Sequence, residues 1–177
     1  MTFRRGAVFF DRDGCLNDDI GFLFEWSKFR WLPGAIEAVR LVNQAGLCAF
    51  VVTNQSGIAR GLYTSADVDR LHRNLASDLA KHGAWIDGFR HCPHHPSFQS
   101  ADGLTDCQCR KPLPGMVTDL MRAWSIDPSL AFMVGDRETD VAAAEAAGIT
   151  GIQIHPGEVL PVIRHELQRL KQTGRRI

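Results

Sequence analysis

Four apolar residues, Ala7-Val8-Phe9-Phe10, run straight into Asp11-Arg12-Asp13-Gly14. A short unbroken apolar run reads as a strand buried on both faces, as in a parallel sheet covered by helices. In such a sheet ligands bind beyond the carboxyl ends of the strands, so the charged tetrapeptide stands where chemistry is done. Residues two apart in an extended segment point the same way, so Asp11 and Asp13 are expected to face one site with Arg12 turned elsewhere. Two neighbouring carboxylates repel unless a cation or a shared proton compensates, and a hard divalent cation, Mg²⁺, suits that charge. One carboxylate can then act as nucleophile and the other as general acid and base. A solvated turn would explain the same tetrapeptide, so the rest of the chain decides.

The pattern recurs. Leu47 to Val52 is a second buried run, ending at Thr53-Asn54-Gln55-Ser56-Gly57. Ile86 to Arg90 is a weaker third, Leu130 to Val134 a fourth that ends at Gly135-Asp136-Arg137-Glu138-Thr139-Asp140, and Gly151 to Ile154 a fifth. Helix patterns separate them. One runs from Pro33-Gly34 to Gly46, and one from an N-cap at Thr64, with Asp67 three residues on, to near Gly83. Pro114-Gly115 opens another to about Trp124, an alanine-rich one runs to about Ala147, and the last has Pro161 at its first position. Alternation of strand and helix predicts an α/β fold: a single-domain, doubly wound, Rossmann-like parallel sheet. With 177 residues the chain has the length of one domain and can bury a core without a staple. The loop from Cys15 to Leu32 carries Phe22, Phe24, Trp26, Phe29 and Trp31. Packing over the core is the favoured use of these rings, and lining an entrance the other. Residues 174–177 are expected to form a frayed tail.

Charge excludes some partners. Lys+Arg and Asp+Glu both total 20, which leaves no basic footprint for nucleic acid or an anionic membrane. No apolar run approaches the ~20 residues of a membrane span, and no signal-peptide core follows the first residues. A cytoplasmic monomer is expected. Five cysteines make a poor disulfide framework, and three of them crowd between 92 and 109. Cys92-x-His94 and Cys107-x-Cys109 offer three sulfurs and an imidazole, a set suited to tetrahedral Zn²⁺, with His95 as the competing nitrogen ligand. Four protein ligands would close the site and make it structural.

Asp11/Asp13, Thr53/Asn54 and Asp136/Asp140 thus stand at strand ends, with Lys111 just before a helix. Phosphoryl transfer needs such a set for positioning and charge compensation. The sequence resembles the haloacid dehalogenase superfamily. Asp11-Arg12-Asp13-Gly14 is similar to its first motif, Thr53 to its second, Lys111 to its third, and Gly135-Asp136-x-x-x-Asp140 to its fourth. The resemblance implies that Asp11 is a nucleophile forming an aspartyl-phosphate and that Asp13 is the general acid and base. It implies Mg²⁺ on Asp11, Asp136 and the Asp13 carbonyl, and Thr53 and Lys111 on the phosphoryl group. Asp140 would orient Lys111 or a metal-bound water. The interval from Asp11 to Thr53 leaves no room for a cap domain. Residues 53–61, 92–96 and 107–112 resemble phosphatases in that superfamily that act on a sugar bisphosphate and serve lipopolysaccharide synthesis. Histidinol-phosphatases are the alternative, but they lack the Ser-Gly-Ile-Ala-Arg-Gly run found at 56–61. This closer resemblance implies Zn²⁺ on Cys92, His94, Cys107 and Cys109. It places Asp19, Ile20, Gly21, Phe22, Thr53, Asn54, Gln55, Ser56, Arg110, Lys111 and Arg137 against a small phosphorylated sugar. Arg110 and Arg137 would hold its spectator phosphate. Cys15 and Arg137 depart from the pattern, which often has threonine and lysine there.

Overall fold

The structure, a computed structural model, describes residues 5–99, 103–104 and 106–172. Five strands form one parallel sheet: β1 (Arg5–Phe10), β2 (Cys48–Asn54), β3 (Gly88–Cys92), β4 (Ile126–Gly135) and β5 (Thr150–Gln153), in the order β3-β2-β1-β4-β5. The helices are α1 (Ala35–Gln44), α2 (Ser65–Lys81), α3 (Gly115–Trp124), α4 (Glu138–Ala146) and α5 (Val159–Gln172). The expected doubly wound α/β fold is what forms. Between β1 and β2 lie only the aromatic loop, with a 3₁₀ turn at Trp26–Lys28, and α1. No helix among the described residues is long and apolar enough to cross a membrane.

Strand alternation sorts the core into two layers. Val8, Phe10, Val51 and Phe132 face α1, α2 and α5, whereas Ala7, Phe9, Phe50 and Met133 face α3 and α4. β1, the central strand, is buried from Ala7 to Phe10, so the apolar run that marked it in the sequence is covered on both faces. Thr64 caps α2 by accepting from the Asp67 N–H at 3.2 Å, and the Asp67 carboxylate returns the bond to the Thr64 N–H at 2.9 Å. Every strand points the same way, so all five carboxyl ends share one edge. At the opposite edge the helices return through turns at 45–47, 82–87, 125 and 147–149.

Some boundaries differ from expectation. β3 lies two residues later than expected, which carries Cys92 into the strand. β4 reaches back to Ile126, which pairs with Arg5 before the register shifts between Arg5 and Ala7. Asp127-Pro128 interrupts the apolar pattern in that shift, which hides the strand's start. α5 begins at Val159, not Pro161. Proline sits in its first turn, where backbone N–H groups have no intrahelical acceptor to lose. The tail expected at 174–177 lies outside the described residues.

Candidate active site

The strand order reverses between β1 and β4, and ligands bind in that crevice in open α/β sheets. A cavity of about 620 Å³ opens there, bordered by Asp11, Asp13, Thr53, Lys111 and Asp140 among others.

Lys111 is held from three sides. Its ammonium donates to Asp11 Oδ1 at 2.8 Å and to the Val52 carbonyl at 2.9 Å, and it pairs with Asp140 Oδ1 at 2.5 Å. The ammonium thus has two hydrogen-bond acceptors and a second carboxylate as ion-pair partner. Burial works to lower the pKa of Lys111, but the carboxylates of Asp11 and Asp140 outweigh it and hold the group above its ordinary value. Burial pushes the Asp11 carboxyl up to about 7, with Lys111 pulling the other way. Asp140 works at both ends: Oδ1 faces Lys111, while Oδ2 accepts from the Arg137 N–H at 3.1 Å at the start of α4. A carboxylate in the first turn complements the helix dipole there.

Gly135 makes that position possible. A Cβ on it would lie 2.3 Å from Asp140 Oδ2 and 2.5 Å from Asp140 Cβ. Gly135→Ala is therefore expected to displace Asp140 and loosen Lys111, costing about 1–3 kcal/mol of stability and at least roughly tenfold in kcat. Thermal denaturation and turnover measure the two; an unchanged kcat would show that Asp140 does not position Lys111.

Ligand oxygens of Asp11, Asp136 and Asp140 lie within 4.8 Å of one another. Asp136 Oδ1 is buried without a hydrogen-bond partner. Burial, and then the neighbouring Asp140, raise the Asp136 carboxyl above its ordinary value. Three carboxylates against one ammonium, with an orphaned oxygen among them, fit a hard divalent cation. Gly14, at φ +84°, admits the group: a Cβ there would lie 2.3 Å from Asp136 Oδ2. The Asp13 carboxylate is not in this group.

Arg12 corrects one expectation. It does not turn away from Asp13. It is fully buried, and its guanidinium forks onto the Asp13 carboxylate with Nε to Oδ1 at 3.1 Å and Nη2 to Oδ2 at 2.9 Å. The N–H groups of Leu16 and Asn17 both donate to the Arg12 carbonyl, so the chain turns tightly here and the alternation of an extended strand no longer applies. A buried guanidinium also requires a partner. Asn17 Nδ2 and Gln55 Nε2 complete the hold on Asp13 at 2.9 and 3.0 Å.

Gln55 is buried and built into the floor. Its Nε2 also donates to Thr53 Oγ1 at 2.9 Å, and its Oε1 accepts from the Tyr63 hydroxyl at 2.7 Å. Asn54 exchanges both side-chain bonds with the main chain of Lys111, each at 3.0 Å. Arg12, Asn17, Tyr63, Glu138 and Thr139 were not singled out as site residues from the sequence. Only an aromatic shortly after the 53–57 turn hinted at Tyr63, and nothing local marked the others.

Asp19, Gly21, Phe22, Ser56, Arg110 and Arg137 also border the cavity, but Ile20 does not: its side chain is 53% exposed. Arg137 pairs with Asp19 at 2.8 Å, and Arg110 donates to the His94 carbonyl at 3.0 Å. The aromatic loop divides its rings. Phe29 is buried, Trp26 and Trp31 pack on the core, and Phe24 stacks on Tyr63, while Phe22 stays at the mouth. There the Arg60 guanidinium lies 5.5 Å from the Phe22 ring and 4.4 Å from that of Phe98.

Beside the mouth, Cys92, His94, Cys107 and Cys109 converge. Cys92 Sγ is 3.1 Å from Cys109 Sγ and 3.6 Å from Cys107 Sγ, and His94 Nδ1 is 3.2 Å from Cys109 Sγ. All four donor atoms lie within 4.8 Å of one another, a soft set that could hold a metal ion. His95 turns elsewhere. Its Nδ1 accepts from the Ser97 N–H at 3.1 Å, and its ring packs edge-on to Phe98. Residues 100–102 and 105 of this loop lie outside the described ones.

A family model described as HAD-hyrolase-like matches residues 108–172. The D-glycero-beta-D-manno-heptose-1,7-bisphosphate 7-phosphatase of Rhodopseudomonas palustris is 39% identical over 171 residues, 97% of this chain and 95% of its own length. The protein of the same name from Escherichia coli K12 is 39% identical, over 86% of this chain and 80% of its own. The D,D-heptose 1,7-bisphosphate phosphatase of B. bronchiseptica, solved with magnesium and phosphate, aligns with a TM-score of 0.82 at 32% identity, covering 93% of this chain and 99% of its own. A HAD-like phosphatase structure from Mesorhizobium loti aligns at 0.85 with 27% identity, over 94% of this chain and 88% of its own.

Proposed function

The chain belongs to the family of D-glycero-beta-D-manno-heptose-1,7-bisphosphate 7-phosphatases within the HAD-like hydrolases, and from that premise we propose that it hydrolyses the 7-phosphate of a heptose 1,7-bisphosphate with Asp11 as nucleophile. The observation that carries the reading is the buried Asp11–Lys111–Asp140 chain beside the orphaned oxygen of Asp136. Mg²⁺ on Asp11, Asp136 and the Asp13 carbonyl would supply charge compensation for the transferring phosphoryl group. The Asp11 carboxylate attacks phosphorus, the ester P–O bond breaks, and Asp13 gives the departing sugar oxygen its proton. Water then attacks the phosphorus of the aspartyl-phosphate and yields a proton to Asp13, which frees inorganic phosphate and restores Asp11. The Thr53 hydroxyl and the Lys111 ammonium hold the phosphoryl oxygens. Arg12, Asn17 and Gln55 aim Asp13, and one of their contacts must open for an oxygen of Asp13 to carry the proton.

Zn²⁺ on Cys92, His94, Cys107 and Cys109 would close that set of four and fix the loop that leads into Arg110 and Lys111. Arg110 and Arg137 would hold the spectator phosphate, with Arg137 exchanging Asp19 for it. Grouped thiols of this kind fit a reducing cytoplasm. The product would feed nucleotide-activated heptose for lipopolysaccharide. The test compares kcat/KM for heptose 1,7-bisphosphate and histidinol phosphate. A preference of roughly 100-fold for the bisphosphate is expected, because a single phosphate leaves the mouth arginines unmatched. A preference for histidinol phosphate would defeat the substrate assignment.

A further inference from the structure

Away from the cleft, α2 and the edge strand β3 bring two imidazoles and a carboxylate together. Asp69 and His72 are three residues apart on α2, so they share a helix face. On β3, Phe89 and His91 are two apart and share the strand face toward α2, where Phe89 packs against the core and stacks on His72 with ring centroids 4.6 Å apart. Ligand atoms of Asp69, His72 and His91 all lie within 4.8 Å of one another, and His91 Nδ1 is 3.8 Å from Asp69 Oδ1.

We propose that Asp69, His72 and His91 form a further, half-buried binding site, open at Asp69, for one divalent transition-metal ion of the kind that prefers imidazole, such as Ni²⁺ or Zn²⁺. Donors sharing one such ion sit roughly 3–3.5 Å apart at bonds near 2.1 Å, so His91 and Asp69 at 3.8 Å need to close by a few tenths of an ångström, and both must shift toward the His72 ring, whose ligand atom lies within 4.8 Å of theirs. Asp69 can make that movement, because its side chain is 55% exposed. Two histidines anchored in the fold would fix the other donors, with water completing the shell on the open side. One carboxylate with two imidazoles is a poor cage for Mg²⁺, which separates this site from the carboxylate cluster of the cleft. The nearby cation is Arg12, whose Nη1 lies 3.5 Å from His72 Nε2 and whose Nε and Nη2 are taken by Asp13.

The test titrates the zinc-loaded protein with Ni²⁺ in excess Mg²⁺ by calorimetry, which reads binding and not turnover. One equivalent per chain is expected. Asp69→Asn should weaken it at least roughly tenfold, and His91→Gln should weaken it further. Zinc content and thermal denaturation check that both variants keep the cysteine cluster and the fold. If His91→Gln disturbs the neighbouring Cys92, the exposed Asp69→Asn carries the comparison alone. No Ni²⁺ binding by the parent protein, or unchanged binding in Asp69→Asn, overturns the proposal.

Discussion

Asp11→Asn is expected to abolish phosphate release, by on the order of 10⁵-fold or more in kcat, while the protein stays folded. The amide cannot attack phosphorus, yet it fills the same space and keeps an oxygen for the Lys111 ammonium that now bonds Oδ1 at 2.8 Å. Stability should not suffer in metal-free protein. The fold raises the Asp11 carboxyl from its ordinary value to about 7 through burial, so the native state favours the protonated form. The charged form therefore costs stability progressively as pH rises from about 4 to 7. The variant escapes that cost, so its Tm at pH 8 without divalent metal should equal or exceed that of the parent, with the gap closing toward pH 4. Retained turnover within about tenfold of the parent would remove Asp11 from the nucleophile's place.

Loss of the proposed Zn²⁺ from the cysteine cluster should be the next largest effect. Cys109→Ser is expected to lower Tm by about 8 °C or more, corresponding to ~3 kcal/mol, and to reduce kcat/KM on the order of 100-fold. The coupling is covalent and short. Cys109 precedes Arg110 and Lys111, and Lys111 is registered on β2 through its paired main-chain bonds to Asn54. The helix that follows is pinned to the same loop by the Gly115 N–H on the Gln108 carbonyl at 2.9 Å. Releasing one end of this segment lets the Lys111 ammonium drift from Asp11 and Asp140. His94→Ala should behave like Cys109→Ser, whereas His95→Ala should keep the metal. Metal analysis, thermal denaturation and phosphate release read the outcomes. A Cys109→Ser protein with unchanged Tm and kcat/KM would separate the cluster from the site.

The strand ends were legible in the sequence because the signal is local. An apolar run halted by Asp11, Thr53 or Asp136 is visible within a few residues, and chain order then places the three at one sheet edge. Asp140 was legible for the same reason: it is four residues past Asp136 and one turn into a helix. What escaped was the packing behind these groups. Arg12 was expected to leave the site because an extended chain alternates, and the tight turn over Leu16 and Asn17 cancels that rule. The resemblance sets Gln55 against substrate, and it does border the cavity, but the sequence gives no sign that Tyr63, Thr53 and Asp13 also bond its amide. Such a network depends on partners brought together by the fold, and no local pattern announces it. Between His94 and His95 the spacing alone could not choose. The fold makes the choice: His94 Nδ1 lies among the cysteine sulfurs, while His95 Nδ1 accepts from the Ser97 N–H.

The wound sheet also divides the molecule by tolerance to change. Asp11, Thr53, Lys111, Asp136 and the cysteine cluster stand at the rim where the strands end, and the turns at 45–47, 82–87, 125 and 147–149 lie on the other. Chain termini moved by circular permutation to the exposed positions of those turns, Gly46, His82, Gly83 or Gly148, or extra peptide spliced in there, would meet no reacting group and would spare the buried Leu47, Ala84 and Ile149. The far rim is thus free to acquire new attachments over evolutionary time while the chemistry at the near rim stays as it is.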